Sequence, residues 1–331
     1  MTEDSEYETI NEKNRFVDLV LGGPDMSGTS SQIEEIIDLC KNEGLVVRDL
    51  RGGEMAALFH TRGFEEFNAH YTSLENFMYD PEISQELKDR FVLDASKILT
   101  SNYTCRKVPV AAFTEVDNEQ FIPIDPDSAD VWIMEEPTRR GAGQVSRTIE
   151  QNRSMFGEKL NPKSATYAHQ AYRTDEFLRF RNPLREAGKI IVRSRSEESA
   201  CYQIEDPELL PDGISRKIYI EAPGHKYAFG KAPTDIWIAH APETWTREEY
   251  IQLKGERSNG RTLDDHEMKP EYQLLVNFRY ATQWLEELYK EACSFYHGKI
   301  PRIHRFSLYM SPEERKEHLK EKLKELKVLS S

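Results

Sequence analysis

Two glycines five residues apart begin the stretch of this sequence whose residue types could bind phosphate. Gly23 and Gly28 have the spacing of the pattern G-x-x-x-x-G-K-[ST], in which backbone N–H groups and a helix N-terminus bind an anion. Ser30 stands where this pattern places a magnesium-binding hydroxyl, but Thr29 occupies the lysine position. Without that lysine an ordinary tight turn between a strand and a helix explains the spacing equally well, and both interpretations stay open.

Two further stretches carry charged side chains that could act on a ligand. Glu136, Arg139 and Arg140 follow the apolar run 131–134, and the ends of parallel strands are where α/β proteins bind ligands. A solvated loop is the alternative. Later in the chain Arg257 and Arg261 flank a Ser-Asn-Gly turn, a composition typical of a mobile basic lid.

Short apolar runs predict the strands that must position these residues. The runs 17–21, 131–134, 189–192 and 235–239 are predicted to be neighbouring strands of a mostly parallel sheet with helices on both faces. Residues 45–47 and 217–220 are predicted as further strands. Apolar residues at helical spacing predict a helix over 31–42, and a single long helix is expected from Pro270 to about Phe295.

Composition limits the classes of function. The chain has 331 residues and a net charge of −14, which argues against a general nucleic-acid partner because binding phosphate backbones needs a basic surface. It contains no apolar run of the roughly 18 residues that a membrane span requires, and residues 1–15 lack the layout of a signal peptide. Four scattered cysteines support neither a disulfide framework nor a zinc site. We therefore expect a soluble, cytoplasmic protein without a membrane partner.

Taken in order, five stretches resemble the thymidylate kinase family of P-loop nucleoside-monophosphate kinases. The first two, GGPDMSGTSSQ and EEPTRRGAGQVSR, resemble the family's phosphate-binding loop and its E-P-T segment. The helix AHQAYRTDEFLRFRNPLREAGK carries Arg173 at the position of the substrate-binding arginine, and SRSEESACYQ occupies the place of the D-R-[YH] segment. The fifth stretch, ending in VNFRYATQWL, resembles the pattern of the helix after the lid.

The resemblance implies an α/β P-loop kinase fold with a mostly parallel sheet flanked by helices and an inserted subdomain. The expected organisation is a mobile tail over 1–15, a thymidylate-kinase-like domain over 16–300 and a C-terminal helical tail over 301–331. Within the domain, 51–128 and 204–234 would be insertions.

The resemblance also implies roles for particular residues, with ATP and Mg²⁺ as cofactors. Residues expected to act in catalysis are Asp25, Arg139, Arg195, Arg257 and Arg261. Residues expected to bind ATP are Gly23, Ser27, Gly28, Thr29, Ser30 and Ser31, with Ser30 also holding the metal. Residues expected to bind the acceptor, dTMP or a related nucleoside monophosphate, are Glu136, Arg140, Arg173, Tyr202 and Gln203. A homodimer is left open.

Two departures from the family pattern bear on activity. Thr29 replaces the lysine of the loop, and Ser194 replaces the aspartate of the D-R-[YH] segment. Phosphoryl transfer depends on positioning and on charge stabilisation, so another cation and another carboxylate, such as Glu197 or Glu198, would have to compensate. The alternative to an active kinase is a catalytically silent relative that acts as a nucleotide sensor or scaffold.

Overall fold

A sheet of six strands forms the centre of the part of the chain that the structure describes. The computed structural model describes residues 16–51, 125–137, 162–257 and 268–330. The strand order is β2-β3-β4-β1-β5-β6, and β1 pairs in parallel with β4 and β5, as do β3 with β4 and β5 with β6. The strands are β1 (Val17–Gly22), β2 (Val47–Asp49), β3 (Val131–Glu135), β4 (Ile190–Ser194), β5 (Asp235–His240) and β6 (Arg302–Ser307). The predicted α/β fold with a mostly parallel sheet is confirmed.

Helices cover both faces of the sheet. They are α1 (Thr29–Asn42), α2 (Pro162–Glu176), α3 (Asn182–Glu186), α4 (Arg216–Glu221), α5 (His225–Gly230), α6 (Arg247–Arg257), α7 (Pro270–Ala281), α8 (Trp284–Phe295) and α9 (Pro312–Glu325). A π-helical turn, Phe177–Arg181, joins α2 to α3, and a 3₁₀ segment, Glu197–Tyr202, follows β4. No helix among the described residues is both long enough and apolar enough to cross a membrane.

The two faces of β1 contribute to two separate cores, as the alternation of side chains along a strand requires. Leu19 and Leu21 pack in one core with α1 and α9. Val20, between them, packs in the other core with α4, α7 and α8. Every residue of β1 is buried, which explains why its sequence is a mostly apolar run and does not alternate between apolar and polar residues.

The predicted strand over 217–220 is wrong. These residues belong to α4, which begins after Ser215, whose hydroxyl accepts a hydrogen bond from the backbone N–H of Ile218. Tyr219 and Ile220 are buried against the second core while Ile218 is exposed, a spacing that suits one face of a helix. Tertiary packing and the serine cap here outweigh the β propensity of the run Lys-Ile-Tyr-Ile.

Two other boundaries also differ from the prediction. The long helix expected from Pro270 to about Phe295 is two helices, because Thr282 is extended and ends α7 before α8 begins. The second strand comprises Val47–Asp49 rather than residues 45–47, since the backbone C=O of Val46 is already bonded to the start of β3.

Residues 301–331, expected as a helical tail, begin with a strand. β6 is the parallel neighbour of β5, and Leu319 and Leu323 of α9 are fully buried in the first core. This segment therefore completes the sheet and covers one of its faces. The strand was not predicted because its residues are mostly half-buried or exposed, so the run RIHRFS is not apolar.

The chain divides into two units, residues 1–48 with 126–331 and residues 49–125. The elements above belong to the first unit, apart from the last residue of β2. The predicted insertion at 51–128 falls almost wholly outside the described residues, as does the predicted tail over 1–15, and both stay predictions. Residues 204–234, the other predicted insertion, contain α4 and α5.

Candidate functional site

The loop between β1 and α1 lies at the carboxyl edge of the sheet, beside the ends of β4 and β5. Gly23 has φ +149°, and a side chain at this position would place its Cβ 2.3 Å from the backbone oxygen of Ala239. Only glycine fits this approach to β5. Ser27 closes a tight turn by donating its backbone N–H to the oxygen of Pro24 at 3.1 Å.

Backbone strain is concentrated around this loop. Met26 lies in the loop and has φ +68°, and Arg195 directly follows β4 and has φ +65°. The other described non-glycine residues with positive φ, His297 and Lys327, follow the ends of α8 and α9. Left-handed residues at helix C-termini are ordinary caps, whereas Met26 and Arg195 have no such reason, and strain of this kind clusters at functional sites.

The N-terminus of α1 is open to an anion. Gly28, with φ +80°, is its N-cap and supplies no side-chain hydrogen bond, and the first turn holds no acidic residue. The first N–H groups of a helix have no partner within it, and their dipoles favour negative charge. The structure thus brings the predicted ATP-binding residues into one loop and helix start: Gly23, Ser27, Gly28, Thr29, Ser30 and Ser31.

Asp25, at the turn of the loop, is held by three side chains. Its Oδ1 accepts hydrogen bonds from Arg195 Nη2 at 2.7 Å and from the Tyr202 hydroxyl at 3.2 Å. Its Oδ2 accepts one from Gln273 Nε2 at 2.6 Å. Arg195 and Tyr202 both also donate to the backbone oxygen of Gly23, each at 3.2 Å. Three predicted site residues therefore meet at the loop, joined by Gln273, which was not predicted.

Arg257 also contacts the loop. This last residue of α6 donates from Nη1 to the oxygen of Met26 at 2.5 Å and from Nη2 to the oxygen of Leu308 at 2.9 Å. Burial, and then the charge of Arg315, lower the pKa of its guanidinium. The predicted lid arginine thus contacts the loop between β1 and α1. Arg139, Arg140 and Arg261 lie outside the described residues.

Arg173 and Glu136 form a buried ion pair. Arg173 Nε donates to Glu136 Oε2 at 2.8 Å, Nη1 to the Tyr219 hydroxyl at 3.3 Å and Nη2 to the oxygen of Ser196 at 2.9 Å. Burial alone would lower the pKa of Arg173, but Glu136 and the neighbouring tyrosines hold it well above its usual value. Arg173 and Glu136, two of the residues expected to bind the acceptor, are therefore partners of each other.

A second set of buried charges lies beneath this pair. Asp18 of β1 binds Arg181 Nη2 at 2.7 Å and Arg193 Nε at 2.8 Å, and Arg181 also contacts Glu197 at 3.4 Å. Burial would raise the pKa of Asp18, but the two arginines outweigh it and the pKa is lowered. The sequence signal for this cluster is an aspartate inside an apolar strand, because a buried charge needs a partner.

Glu198 is the exception among these buried carboxylates. It is fully buried behind Gly22, at the start of the loop, and its Oε2 has no hydrogen-bond partner among the described residues. Burial raises the pKa of Glu198 to about 7, although Arg195 opposes that shift. Of the two carboxylates proposed to compensate for Ser194, Glu197 is already paired with arginines and Glu198 is the one beside the loop.

Gln203, another predicted acceptor residue, lies against α2. Gln203 Nε2 is 3.4 Å from His169 Nδ1, and the hydroxyl of Tyr172 is 3.2 Å from the same nitrogen. Gln203 is also nine-tenths buried. Across the parts of the chain that the structure describes, no group of three or more His, Cys, Asp or Glu side chains could hold a metal ion.

Comparison with known proteins adds a resemblance of fold. No family model matches the chain, and no curated protein sequence matches it. A solved structure that matches is that of thymidylate kinase from Candida albicans, at 11% sequence identity and a TM-score of 0.45. The match covers 95% of this chain and 93% of that one.

Proposed function

We propose that the protein binds ATP with Mg²⁺ at the loop Gly23–Gly28 and transfers the γ-phosphoryl group to a nucleoside monophosphate, dTMP or a related one. One observation carries the proposal. The loop leaves the carboxyl end of the central strand, approaches β5 so closely that only glycine fits, and leads into an uncapped helix N-terminus. Such a helix start favours an anion, and a phosphate is the anion that this loop spacing suits.

The chain's own residues have distinct roles in this proposal. The backbone N–H groups of the loop and of the first turn of α1 bind the donor phosphates, and the Ser30 hydroxyl holds Mg²⁺. The bound ion supplies neutralisation of phosphate charge. Glu198, buried behind the loop, is the carboxylate best placed to act in place of the aspartate missing at Ser194.

Arg257 is the residue that we propose in place of the loop lysine. Its guanidinium already contacts the backbone oxygen of Met26, and a phosphate bound by the loop would offer it a charged acceptor instead. Arg139, Arg140 and Arg261 are proposed as further cations over the transferred group. Phosphoryl transfer depends on such positioned cations because negative charge spreads over the transferred group.

Arg173 is proposed to bind the acceptor phosphate, and Glu136, Tyr202 and Gln203 are proposed to complete the acceptor site. A guanidinium carries five N–H donors, and the described contacts of Arg173 use three nitrogens once each. Donors therefore remain for a phosphate without breaking the pair with Glu136. In this role Glu136 orients the arginine rather than contacting the phosphate itself.

A catalytically silent nucleotide-binding protein is the second candidate. It is favoured by Thr29 and Ser194, which remove a cation and a carboxylate together, and by the engagement of Arg173 with Glu136. Such a protein would bind ATP and act as a sensor or scaffold.

The two candidates are separated by measuring ADP release from Mg-ATP in a coupled assay against a panel of nucleoside monophosphates. The active enzyme releases ADP only when an accepted monophosphate is present, with dTMP the first to test. Arg257→Gln should then reduce turnover about 10³-fold or more, as expected for a lost cation in this chemistry. Arg247→Gln, at the exposed start of the same helix, is the matched control and should turn over normally. Binding of ATP without ADP release for any monophosphate would establish the silent candidate.

A further inference from the structure

Gln273 makes a paired contact with Asp25 across the base of the phosphate-binding loop. The Gln273 Nε2 group donates to Asp25 Oδ2 at 2.6 Å, and the Gln273 Oε1 atom accepts the backbone N–H of Asp25 at 3.1 Å. Only the amide oxygen can accept a backbone N–H, and only the amide nitrogen can donate to a carboxylate. The two contacts therefore fix the orientation of the amide and, with it, the position of the loop residue.

Gln273 is built into the molecule as a fixed support. It lies on α7, is completely buried and is 248 residues from Asp25 in the sequence. Its neighbours Tyr272 and Val276 pack in the second core beneath the sheet. The loop is thus tied to a helix that has its own packing, so its position is set from outside the β1–α1 unit.

The other oxygen of Asp25 is engaged as well. Arg195 donates to Oδ1 and to the backbone oxygen of Gly23, and the Tyr202 hydroxyl shares its one proton between the same two oxygens. Each carboxylate oxygen therefore has a protein partner, and the loop is held at both Gly23 and Asp25. This arrangement suits a residue that shapes the loop better than one whose carboxylate faces a ligand.

We propose that Gln273 is a positioning residue that, through Asp25, holds the phosphate-binding loop in its binding shape. Asp25 then acts on a nucleotide through the loop backbone and not by direct contact. The effect on a nucleotide rests on the function proposed above, whereas the effect on the loop does not.

Exchanging the two functional groups tests this role. Gln273→Glu sets a second carboxylate against Asp25 and removes the donor. Combining it with Asp25→Asn restores the contact between the two side chains with reversed polarity, because the new amide donates to the new carboxylate. The backbone N–H of residue 25 still meets an oxygen, and Asn Oδ1 can still accept from Arg195 and Tyr202. Rescue in the double variant is therefore expected only if the pair, and not the charge of Asp25, matters.

The primary readout is hydrogen exchange of peptides covering residues 22–30 in the full chain. Gln273→Glu should speed exchange of the loop about tenfold or more, because a hydrogen bond to a charged group is lost and a repulsion gained. The double variant should return to within about threefold of the wild type. Gln283→Glu, the same substitution at an exposed site, should leave the loop unchanged. If Gln273→Glu does not fold, Gln273→Met, which removes both contacts without adding charge, supplies the measurement.

The dissociation constant of Mg-ADP provides the second readout, and it should follow the exchange rates. Unchanged loop exchange in Gln273→Met, or a double variant as fast as Gln273→Glu, would overturn the positioning role. A wild-type protein that does not bind Mg-ADP would refute the proposed function, while the exchange data would still decide what Gln273 does.

Discussion

At the scale of single residues, the loop between β1 and α1 leaves no room for a side chain at its first glycine. Gly23 approaches the backbone of β5 so closely that a methyl group has no room, and Glu198 lies buried behind the neighbouring Gly22. Gly44, by contrast, also has a positive φ, but a methyl group there would meet nothing within 4 Å. An alanine methyl group would therefore collide with backbone at Gly23 but would meet open space at Gly44.

Glu198 gives the folded protein a pH dependence with a defined sign. The pKa of Glu198 is raised from 4.5 to about 7 by burial, so the folded state keeps the proton that the unfolded state releases. Its contribution to stability is complete below pH 4.5 and is lost as pH rises toward 7, at about 1.4 kcal/mol per unit. Glu198→Gln removes this loss of stability with pH, because a glutamine side chain does not ionise.

The stability gained by Glu198→Gln over the wild type should therefore grow between pH 5 and pH 7.5, reaching about 3 kcal/mol at most. Urea unfolding at both pH values measures it, and comparing the two proteins cancels the titration of other groups. Burial sets this rise in the pKa, which Arg195 and Arg173 oppose and Glu136 and Glu197 reinforce. A gain that is the same at both pH values would show that Glu198 is ionised throughout.

At the scale of elements, buried charges join the central strand to its surroundings. Asp18 of β1 binds Arg193 of β4 and Arg181 of the π-helical turn. Helical turns of the π type occur often at functional sites, and here the turn lies between Arg173 and α3. The network therefore connects the loop strand with the helix that carries Arg173.

Asp18→Asn should destabilise the protein by about 3–5 kcal/mol, because it leaves two buried arginines short of a counter-charge. The free energy of unfolding in urea measures the effect. Asp175→Asn removes a partner of Arg179 from an exposed pair between the end of α2 and the π-helical turn, and should cost less than about 1 kcal/mol. Equal costs for the two substitutions would mean that the buried network adds nothing beyond a surface pair.

The C-terminal segment can be tested in the same way. Leu319 of α9 is fully buried in the core shared with α1 and β1, so Leu319→Ala should cost about 2–5 kcal/mol. Lys316→Ala, on the exposed side of the same helix, should change the free energy of unfolding by less than about 0.5 kcal/mol. A small effect at Leu319 would instead mean that residues 301–331 are a dispensable tail.

At the scale of the whole molecule, the features predicted from the sequence are those encoded by neighbouring residues. The apolar runs of β1, β3, β4 and β5 predicted the sheet because central parallel strands are buried on both faces. The glycine spacing likewise predicted the loop and the helix after it.

The features that were missed depend on distant partners or on packing. Gln273 is one amide in an amphipathic helix until the fold brings it to a loop 248 residues away. The partners of Arg173 and Asp18 were hidden for the same reason, and the run 217–220 became a helix through its cap and its core contacts. Local patterns thus predicted the scaffold and the loop, whereas the polar contacts that fix the site required the structure.

The central claim is that the loop Gly23–Gly28 is a nucleotide-phosphate site, and a calorimetric titration of Mg-ATP into three proteins tests it most directly. The wild type should bind with a dissociation constant between about 1 μM and 1 mM, the range of typical substrate affinities. Gly23→Ala should weaken binding at least tenfold, since the added methyl group displaces the loop from β5. Gly44→Ala, also at a position of positive φ but with open space for the methyl group, should bind as the wild type does. Wild-type affinity in a folded Gly23→Ala protein, or no binding by the wild type, would contradict the claim.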